Sequence, residues 1–287
     1  MARRNTHTGR LAAVAVLAVS ALAAAGLGAN AAHAGHETFA AVSSLDSSTS
    51  ANWAGYVVTQ PSTTYTSVTA TWKEPKVACG SDNAGESSAF WVGLGGSSQT
   101  SQALEQVGTS ADCDSTTGKP YYYAWYELVP ANSVTTKLVV HPGDTITTSV
   151  NVLDGTTIEL QVKNRTRHTS FTTKLPYATP DLTSAEWIAE APSACDSFRC
   201  RQIPLSNFGS VSFTKIAAIG NAVGGTLTAN PGWTSTAISL VPDGNGRGYL
   251  PGPDQFSSRA TSTAGATPGA ASADGRSFAV QYTATAG

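Results

Sequence analysis

The sequence predicts an all-β fold, a single-domain sandwich of two antiparallel sheets of the concanavalin or jelly-roll kind, on three observations. First, about a dozen short runs alternate apolar and polar residues, the period of a strand with one buried face. Second, turn residues fall between the runs, as at 141–144 and at Asp154-Gly155. Third, no window keeps a helical period for more than a few turns. Short strands at regular spacing are typical of sandwiches and barrels.

The predicted strands follow one another through the second, larger part of the chain. They are residues 53–59, 67–72, 89–94, 103–108, 121–128, 135–140, 145–152, 157–163, 169–174, 183–190, 210–218, 236–241 and 277–282. The stretch 257–275 is rich in Ser, Ala, Gly and Thr and is expected to be a mobile loop before the last strand.

The segment 1–34 is predicted to be a secretory signal peptide. Arg3, Arg4 and Arg10 form a basic start, 11–27 is apolar, and 32–34 is an A-x-A cleavage site. Polar residues follow the first arginine pair, which favours general secretion over the twin-arginine route. Residues 35–50 are interpreted as a short polar pro-segment or linker, and the sandwich domain is expected at 51–287. We therefore expect a secreted, extracellular protein.

The charge balance excludes several classes of partner. Charged residues make up 13% of the chain and the formal net charge is −2. Nucleic-acid binding needs basic stripes, so neither nucleic acid nor an anionic membrane surface is an expected partner. After the signal peptide no run is apolar and long enough to span a bilayer. We expect a soluble monomer whose few ionisable groups permit stability in acid.

The four cysteines all lie in the exported part, as in an oxidising compartment. Cys195 and Cys200 are close in sequence and are predicted to pair, which leaves Cys79 to pair with Cys113. Three connectivities are possible, so the other two stay open. There is no C-x-x-C, and the histidines show no ligand spacing, so neither a metal nor a cofactor is expected. The G-x-S-x-G, H-E-x-x-H and P-loop motifs are absent too, as are Asp-Thr-Gly and Asp-Ser-Gly.

The run 183–190 carries two carboxylates on one face. Strand side chains alternate, so Glu186, Ile188 and Glu190 point one way and Trp187 the other. A solvated outer face is the simplest explanation of such a strand. The other strands weaken that explanation, because the same alternation places further polar and aromatic residues together.

These residues form one predicted face if the strands are neighbours. Its members are Trp91, Gln106, Tyr123, Trp125, Glu127, Glu186 and Glu190. Gly93 and Gly95 lie on that face as well and leave room for a ligand to approach the sheet. The sequence thus predicts an open groove with aromatic walls, one amide and carboxylates. Each member also has a structural explanation; for example, Glu127 could pair with Lys73 or Lys76.

An ordered series of short motifs resembles the glutamic peptidases, or eqolisins. In chain order they are 52–56 (NWAGY), 70–72 (ATW), 90–94 (FWVGL), 104–108 (LEQVG), 124–127 (AWYE), 142–144 (PGD), 185–188 (AEWI) and 208–214 (FGSVSFT). The resemblance implies an acid endopeptidase that acts on proteins or peptides from a two-sheet sandwich. Its catalytic dyad of a glutamine and a glutamate falls on Gln106 and Glu186.

The resemblance and the shared face together predict the substrate-binding residues. They are Trp53, Trp91, Tyr123, Trp125, Glu127 and Glu190. Two positions depart from the family pattern: Gly95 stands where family members place an aspartate, and Tyr123 where an acid often stands. These departures are expected to remove carboxylates near the site.

Peptide hydrolysis on this dyad would use Glu186 as the base that activates water and then as the acid for the leaving amine. The Gln106 amide would hold the water and stabilise the oxyanion. Two other classes remain open at this point. A lectin-like module would stack sugars on Trp91 and Trp125, and a glycosidase would use Glu127 and Glu186 as its carboxylate pair.

Overall fold

The computed structural model describes residues 37–38, 49–98, 100–195, 200–241 and 264–284, and these are built of strands with one 3₁₀ turn at Ser81–Asn83. The strands are β1 Glu37–Thr38, β2 Thr49–Ser50, β3 Trp53–Thr59, β4 Tyr65–Lys73, β5 Ser87–Gly95, β6 Leu104–Cys113, β7 Pro120–Val129, β8 Val134–Val139, β9 Thr145–Val152, β10 Thr157–Asn164, β11 Thr169–Pro176, β12 Ser184–Glu190, β13 Ser193–Cys195, β14 Cys200–Gln202, β15 Ser210–Gly220, β16 Val223–Gly225, β17 Thr234–Leu240, β18 Gly265–Pro268 and β19 Ser277–Thr283. All the predicted strands are present, and several run longer than predicted.

Two antiparallel sheets stack on each other, which confirms the predicted sandwich. The first sheet has the strand order β11-β10-β9-β4-β15-β19-β18-β17, and the second has the order β17-β3-β12-β5-β6-β7-β8. Strand β17 belongs to both, because Thr234 to Ile238 pair with β3 while Leu240 pairs with Ala266 of β18. The two sheets are therefore joined along one edge.

The main core lies between the sheets and takes one face from each. Its largest fully buried side chains include Trp72, Phe90, Trp187 and Phe213. Alternation is clearest at the rim of the first sheet, where β10 alternates buried and half-buried residues along its whole length. Burial of large apolar side chains supplies the main driving force of such a fold.

The outer face of the second sheet is also buried, and it carries a separate hydrophobic cluster. Its members are Trp53, Val57, Ala89, Trp91, Leu104, Trp125, Val129, Ile188 and Ile238. Every residue of β5, β6 and β12 is consequently buried. An antiparallel sheet usually exposes one face, so the outer face of the second sheet is the unusual surface of this molecule.

A buried carboxyl links the two sheets. Glu74, just after β4, accepts hydrogen bonds at its Oε2 from the Thr109 hydroxyl at 2.6 Å and from Trp72 Nε1 at 3.3 Å. Burial raises the pKa of Glu74 from 4.5 to about 8; these two hydrogen bonds oppose the rise, and the nearby Asp144 charge adds to it. Glu74 is therefore a neutral acid in mildly acidic solution, and it bonds across the sandwich without carrying a buried charge.

One predicted disulfide is confirmed. Cys79 and Cys113 are bonded, with their Cα atoms 5.4 Å apart, and close a loop with a sequence separation of 34. For the other pair, the backbone places Cys195 opposite Cys200 in the β13–β14 ladder. Their side chains and residues 196–199 lie outside the described residues, so that disulfide stays a prediction.

Two predicted segments are only partly described. Residues 1–36 and 39–48 lie outside the described residues, so the signal peptide stays a prediction; of the segment 35–50, β2 pairs in parallel with the end of β17. The predicted loop 257–275 was wrong in part, because β18 forms there and pairs with β19. Among the described residues no helix is long and apolar enough to cross a bilayer.

Candidate active site

The outer face of the second sheet carries the predicted polar residues in one row across four adjacent strands. The β-ladder pairs Glu186 of β12 with Gly93 of β5, Gly93 with Gln106 of β6, and Gln106 with Glu127 of β7. Directly paired residues point to the same face. The prediction that Glu186, Gln106 and Glu127 share a face is therefore confirmed.

Only a glycine separates the two residues of the predicted dyad. Two interstrand steps place the Cα atoms of Gln106 and Glu186 about 10 Å apart, a span that two such side chains can bridge around one water molecule. The glycine is required by packing as well. A Cβ at Gly93 would lie 2.9 Å from Cζ3 of the Trp91 ring, so this ring comes close to the backbone at Gly93.

The amide of Gln106 is held by a carboxyl group. Gln106 Nε2 donates to Glu127 Oε2 at 2.7 Å, and both side chains are fully buried. Glu127 thus contacts Gln106 directly. A hydrogen bond of this length fixes which way the amide points.

Glu190 orients the aromatic floor of the site. Trp91 Nε1 donates to Glu190 Oε2 at 2.7 Å, and Asn52 Nδ2 donates to Oε1 at 3.0 Å. Both carboxyl oxygens therefore contact protein, so the structure gives Glu190 a positioning contact with Trp91. The sequence predicts Glu190 as a substrate contact and assigns no role to Asn52, although Asn52 stands in the first of the family-like motifs.

The predicted aromatic residues line the same face in the next two rows. Trp91 pairs with Gly108, which pairs with Trp125, and Trp53 pairs with Glu190. The Trp53 and Trp91 rings meet edge to face with centroids 4.9 Å apart. Tyr123 packs against this cluster and is only half-buried. All the predicted site residues are thus brought together on one face.

The predicted open groove, however, is not open. Trp53, Trp91, Gln106, Trp125, Glu127, Glu186 and Glu190 are all shielded completely from solvent. The alternation of side chains along a strand shows which residues share a face, but it does not show what lies over that face. The sequence could therefore not have predicted this burial. A substrate can reach the dyad only when this face is uncovered.

Burial dominates the electrostatics of Glu186. It raises the pKa of this carboxyl well above the ordinary value; the nearby Ser184 hydroxyl opposes the rise, and the nearby Asp181 and Glu105 carboxyl groups add to it. Neither Glu186 oxygen has a hydrogen-bond partner, and the Ser184 hydroxyl also has none. A fully buried carboxyl without partners is rare in native proteins and indicates a functional group.

Asp181 is a site residue that the sequence analysis missed. A Cβ at Gly95 would lie 2.6 Å from Cβ and 2.9 Å from Cγ of Asp181. The loop before β12 thus places an acid where a side chain at Gly95 would project. The expected effect of the Gly95 departure on the site stays a prediction. The Asp-x-Thr sequence at 181–183, typical of a side-chain-capped turn, is the one local signal that could have drawn attention to it.

The described residues contain no group of three or more His, Cys, Asp or Glu side chains that could hold a metal ion. The site itself brings carboxyl and carboxamide groups together beside three buried tryptophans. Carboxyl and carboxamide groups on one face are the groups that a hydrolase needs if it activates water with a carboxyl group.

Comparison with known families supports a more specific assignment. The model of the peptidase A4 family matches residues 51–239. The chain belongs to this family, the glutamic peptidases or eqolisins, and is a glutamic endopeptidase. A search of curated protein sequences gives no match.

Solved structures show the same fold. Scytalido-glutamic peptidase, with a peptide-based transition-state analogue, aligns with a TM-score of 0.61 and 21% identity, over 81% of this chain and 98% of that one. SCP-B, a member of the eqolisin family of peptidases in a complex with the tripeptide Ala-Ile-His, aligns with a TM-score of 0.58 and 21% identity, over the same shares of the two chains. The predicted two-sheet architecture and the predicted family are thereby confirmed.

Proposed function

We propose that Gln106 and Glu186 form the catalytic dyad of this endopeptidase and hydrolyse peptide bonds of protein substrates in acid. One observation carries the proposal. Glu186 is fully buried without a hydrogen-bond partner for either oxygen, and the carboxamide of Gln106 lies across a single glycine from it. A base and an oxyanion donor must face the same small volume in this chemistry.

The reaction begins with the Glu186 carboxylate taking a proton from water as the water attacks the scissile carbonyl. The Gln106 NH₂ group, oriented by Glu127, donates to the oxygen that becomes negative. Glu186 then passes the proton to the leaving amine and is ready for another cycle. An amide stays neutral at any working pH, so Gln106 does not compete for that proton.

The pH dependence follows from the cause of the Glu186 pKa shift. Desolvation is the largest cause, and uncovering the face for substrate restores solvent. The pKa then falls toward the ordinary range of a carboxyl group, and Glu186 ionises in mild acid.

We further propose that the protein is exported through its signal peptide and acts outside the cell as a monomer on proteins and peptides, without a cofactor. The low charge content supports a role in an acidic medium. Neither nucleic acid nor a membrane is part of this proposal.

Cleavage of acid-denatured haemoglobin by the purified protein, with Glu186→Gln and Gln106→Ala, tests the dyad. Glu186→Gln should be inactive, and Gln106→Ala should lose about 10²–10³ in kcat, the typical effect of losing an oxyanion donor. Glu159→Gln, which removes a carboxylate paired with Lys174 on the other sheet, is the matched control. Normal turnover in Glu186→Gln, or activity on a polysaccharide panel instead of on protein, would contradict the proposal.

A further inference from the structure

The loop that precedes β12 ties together the two strand ends that lead to the dyad. Asp181 Oδ2 accepts hydrogen bonds from the Gly96 N–H at 3.2 Å and from the Ser101 hydroxyl. Its Oδ1 accepts from the Thr183 N–H at 3.0 Å and from the Thr183 hydroxyl at 2.6 Å. Gly96 follows β5 directly and Ser101 precedes β6, so one carboxylate joins three segments.

The backbone of Asp181 adds a fifth connection. Asp181 N–H donates to Glu105 Oε1 at 3.3 Å, and Glu105 stands next to Gln106 in β6. On the other side, Thr183 precedes Ser184 and the strand that carries Glu186. Asp181 therefore connects the start of the Gln106 strand to the start of the Glu186 strand across the end of β5.

We propose that Asp181 is a positioning residue of the peptidase, which fixes the separation of the Gln106 and Glu186 strands and places a negative charge beside Glu186. This inference rests on the proposed role of Glu186. In this scheme Asp181 contacts neither the reacting atoms of the substrate nor the side chains of the dyad. It acts through its effect on Glu186.

The surroundings favour Asp181 as the source of that charge. Of the groups facing Glu186, Ser184 is neutral, and burial raises the pKa of the Tyr65 hydroxyl, so it is neutral too. Burial also raises the pKa of Glu105 to about 9, so Glu105 carries no charge in acid. Glu127, the acid in the row of Glu186, lies beyond Gln106 and is bonded to it.

The setting of Asp181 makes it open to substitution. Asp181 is half-buried at the wall of a cavity of about 680 Å³, together with Ser101, Tyr177 and Thr183. Among the described residues no lysine or arginine pairs with it. Asparagine has nearly the same size and can be hydrated from the cavity, so Asp181→Asn removes the charge without leaving a sealed hole.

The test compares Asp181→Asn with Asp181→Glu in steady-state kinetics on a peptide substrate over a pH series. Asp181→Asn should lower kcat about tenfold to a hundredfold with KM close to wild type, since misplaced catalytic groups cost rates of this order. The acid limb of its kcat/KM profile should move to lower pH, because Glu186 loses a neighbouring negative charge. Asp181→Glu should keep the acid limb near its wild-type position.

Asp154→Asn is the matched control, since Asp154 accepts a similar set of bonds from Thr156 and Thr157 in the exposed β9–β10 turn. Its kcat and pH profile should not change. Wild-type kcat and an unmoved acid limb in Asp181→Asn would overturn the inference. If Asp181→Asn does not fold, Ser101→Ala is the alternative test, because it removes one of the hydrogen bonds to Asp181. A several-fold fall in kcat would then support the inference, and an unchanged kcat would overturn it.

Glu186→Gln, measured in the same series, separates the two proposals. Activity in that variant overturns the dyad itself. An inactive Glu186→Gln together with an unaltered Asp181→Asn overturns only the role of Asp181.

Discussion

Glu74→Gln should make the fold less sensitive to pH. The pKa of Glu74 is raised from 4.5 to about 8 in the folded protein, so the native state holds a proton that the unfolded chain releases above pH 4.5. The native state binds more protons in this window, and stability therefore falls as pH rises. The stabilisation is fully present below pH 4.5 and is lost progressively as the pH approaches 8.

The size of the effect follows from the same values. Each pH unit in this window costs about 1.4 kcal/mol for one proton, so the loss between pH 4.5 and pH 7 is about 3 kcal/mol from Glu74 alone. Glutamine keeps an oxygen that can accept from Thr109 and Trp72 and has no proton to release. We expect Glu74→Gln to be close to wild type in acid and to lose about 3 kcal/mol less on going to pH 7.

Urea unfolding at several pH values between 4 and 7, followed by tryptophan fluorescence, measures this difference. As the pH rises, the free energy of unfolding of the wild type should fall more steeply than Glu74 alone would cause. Glu105, whose pKa burial raises to about 9, contributes a loss of stability in the same direction. Glu159→Gln is the surface control and should keep the wild-type slope. Parallel pH dependences of wild type and Glu74→Gln would refute the reasoning.

Two other predictions concern the scaffold of the site. Replacing Cys79 and Cys113 with serine should cost about 2–4 kcal/mol in the free energy of unfolding, measured by urea titration, because a long loop is released in the unfolded chain; an unchanged midpoint would contradict this. Gly93→Ala should displace the Trp91 ring, whose Cζ3 lies 2.9 Å from the new Cβ, and lower kcat on a peptide substrate, whereas a wild-type kcat would show that the ring position is irrelevant to turnover.

The faces of the strands could be predicted from sequence because alternation is a local property. In 183–190 the alternation of side chains alone puts Glu186 and Glu190 on the face opposite to Trp187. In the structure Trp187 belongs to the core between the sheets, and Ile188, on the side of the two glutamates, belongs to the outer cluster. The family-like motifs then predicted Gln106 as the partner of Glu186. Alternation does not predict the order of the strands in a sheet. The placement of β12 between β3 and β5 depends on contacts between distant parts of the chain.

The parts that were missed depend on geometry outside the strands. Asp181 reaches the site through the conformation of a loop. No periodic pattern in the sequence predicts that it lies close to Gly95. In the sequence, Glu74 looks like an ordinary charged residue before a proline. Only the structure, in which Thr109 of the other sheet donates a hydrogen bond to it, shows that it is a buried acid. The burial of the dyad face likewise depends on what lies over the sheet.

The insertion of β12 between β3 and β5 also governs when the site can exist. Glu190 pairs with Trp53 on one side and with Ala89 on the other, so the chain must close long loops before these strands can meet, a slow step in folding. A nascent chain that ends before β12 contains Gln106 but has no Glu186. Under the proposed dyad, the late position of Glu186 in the chain therefore keeps a partly synthesised chain from cleaving its neighbours.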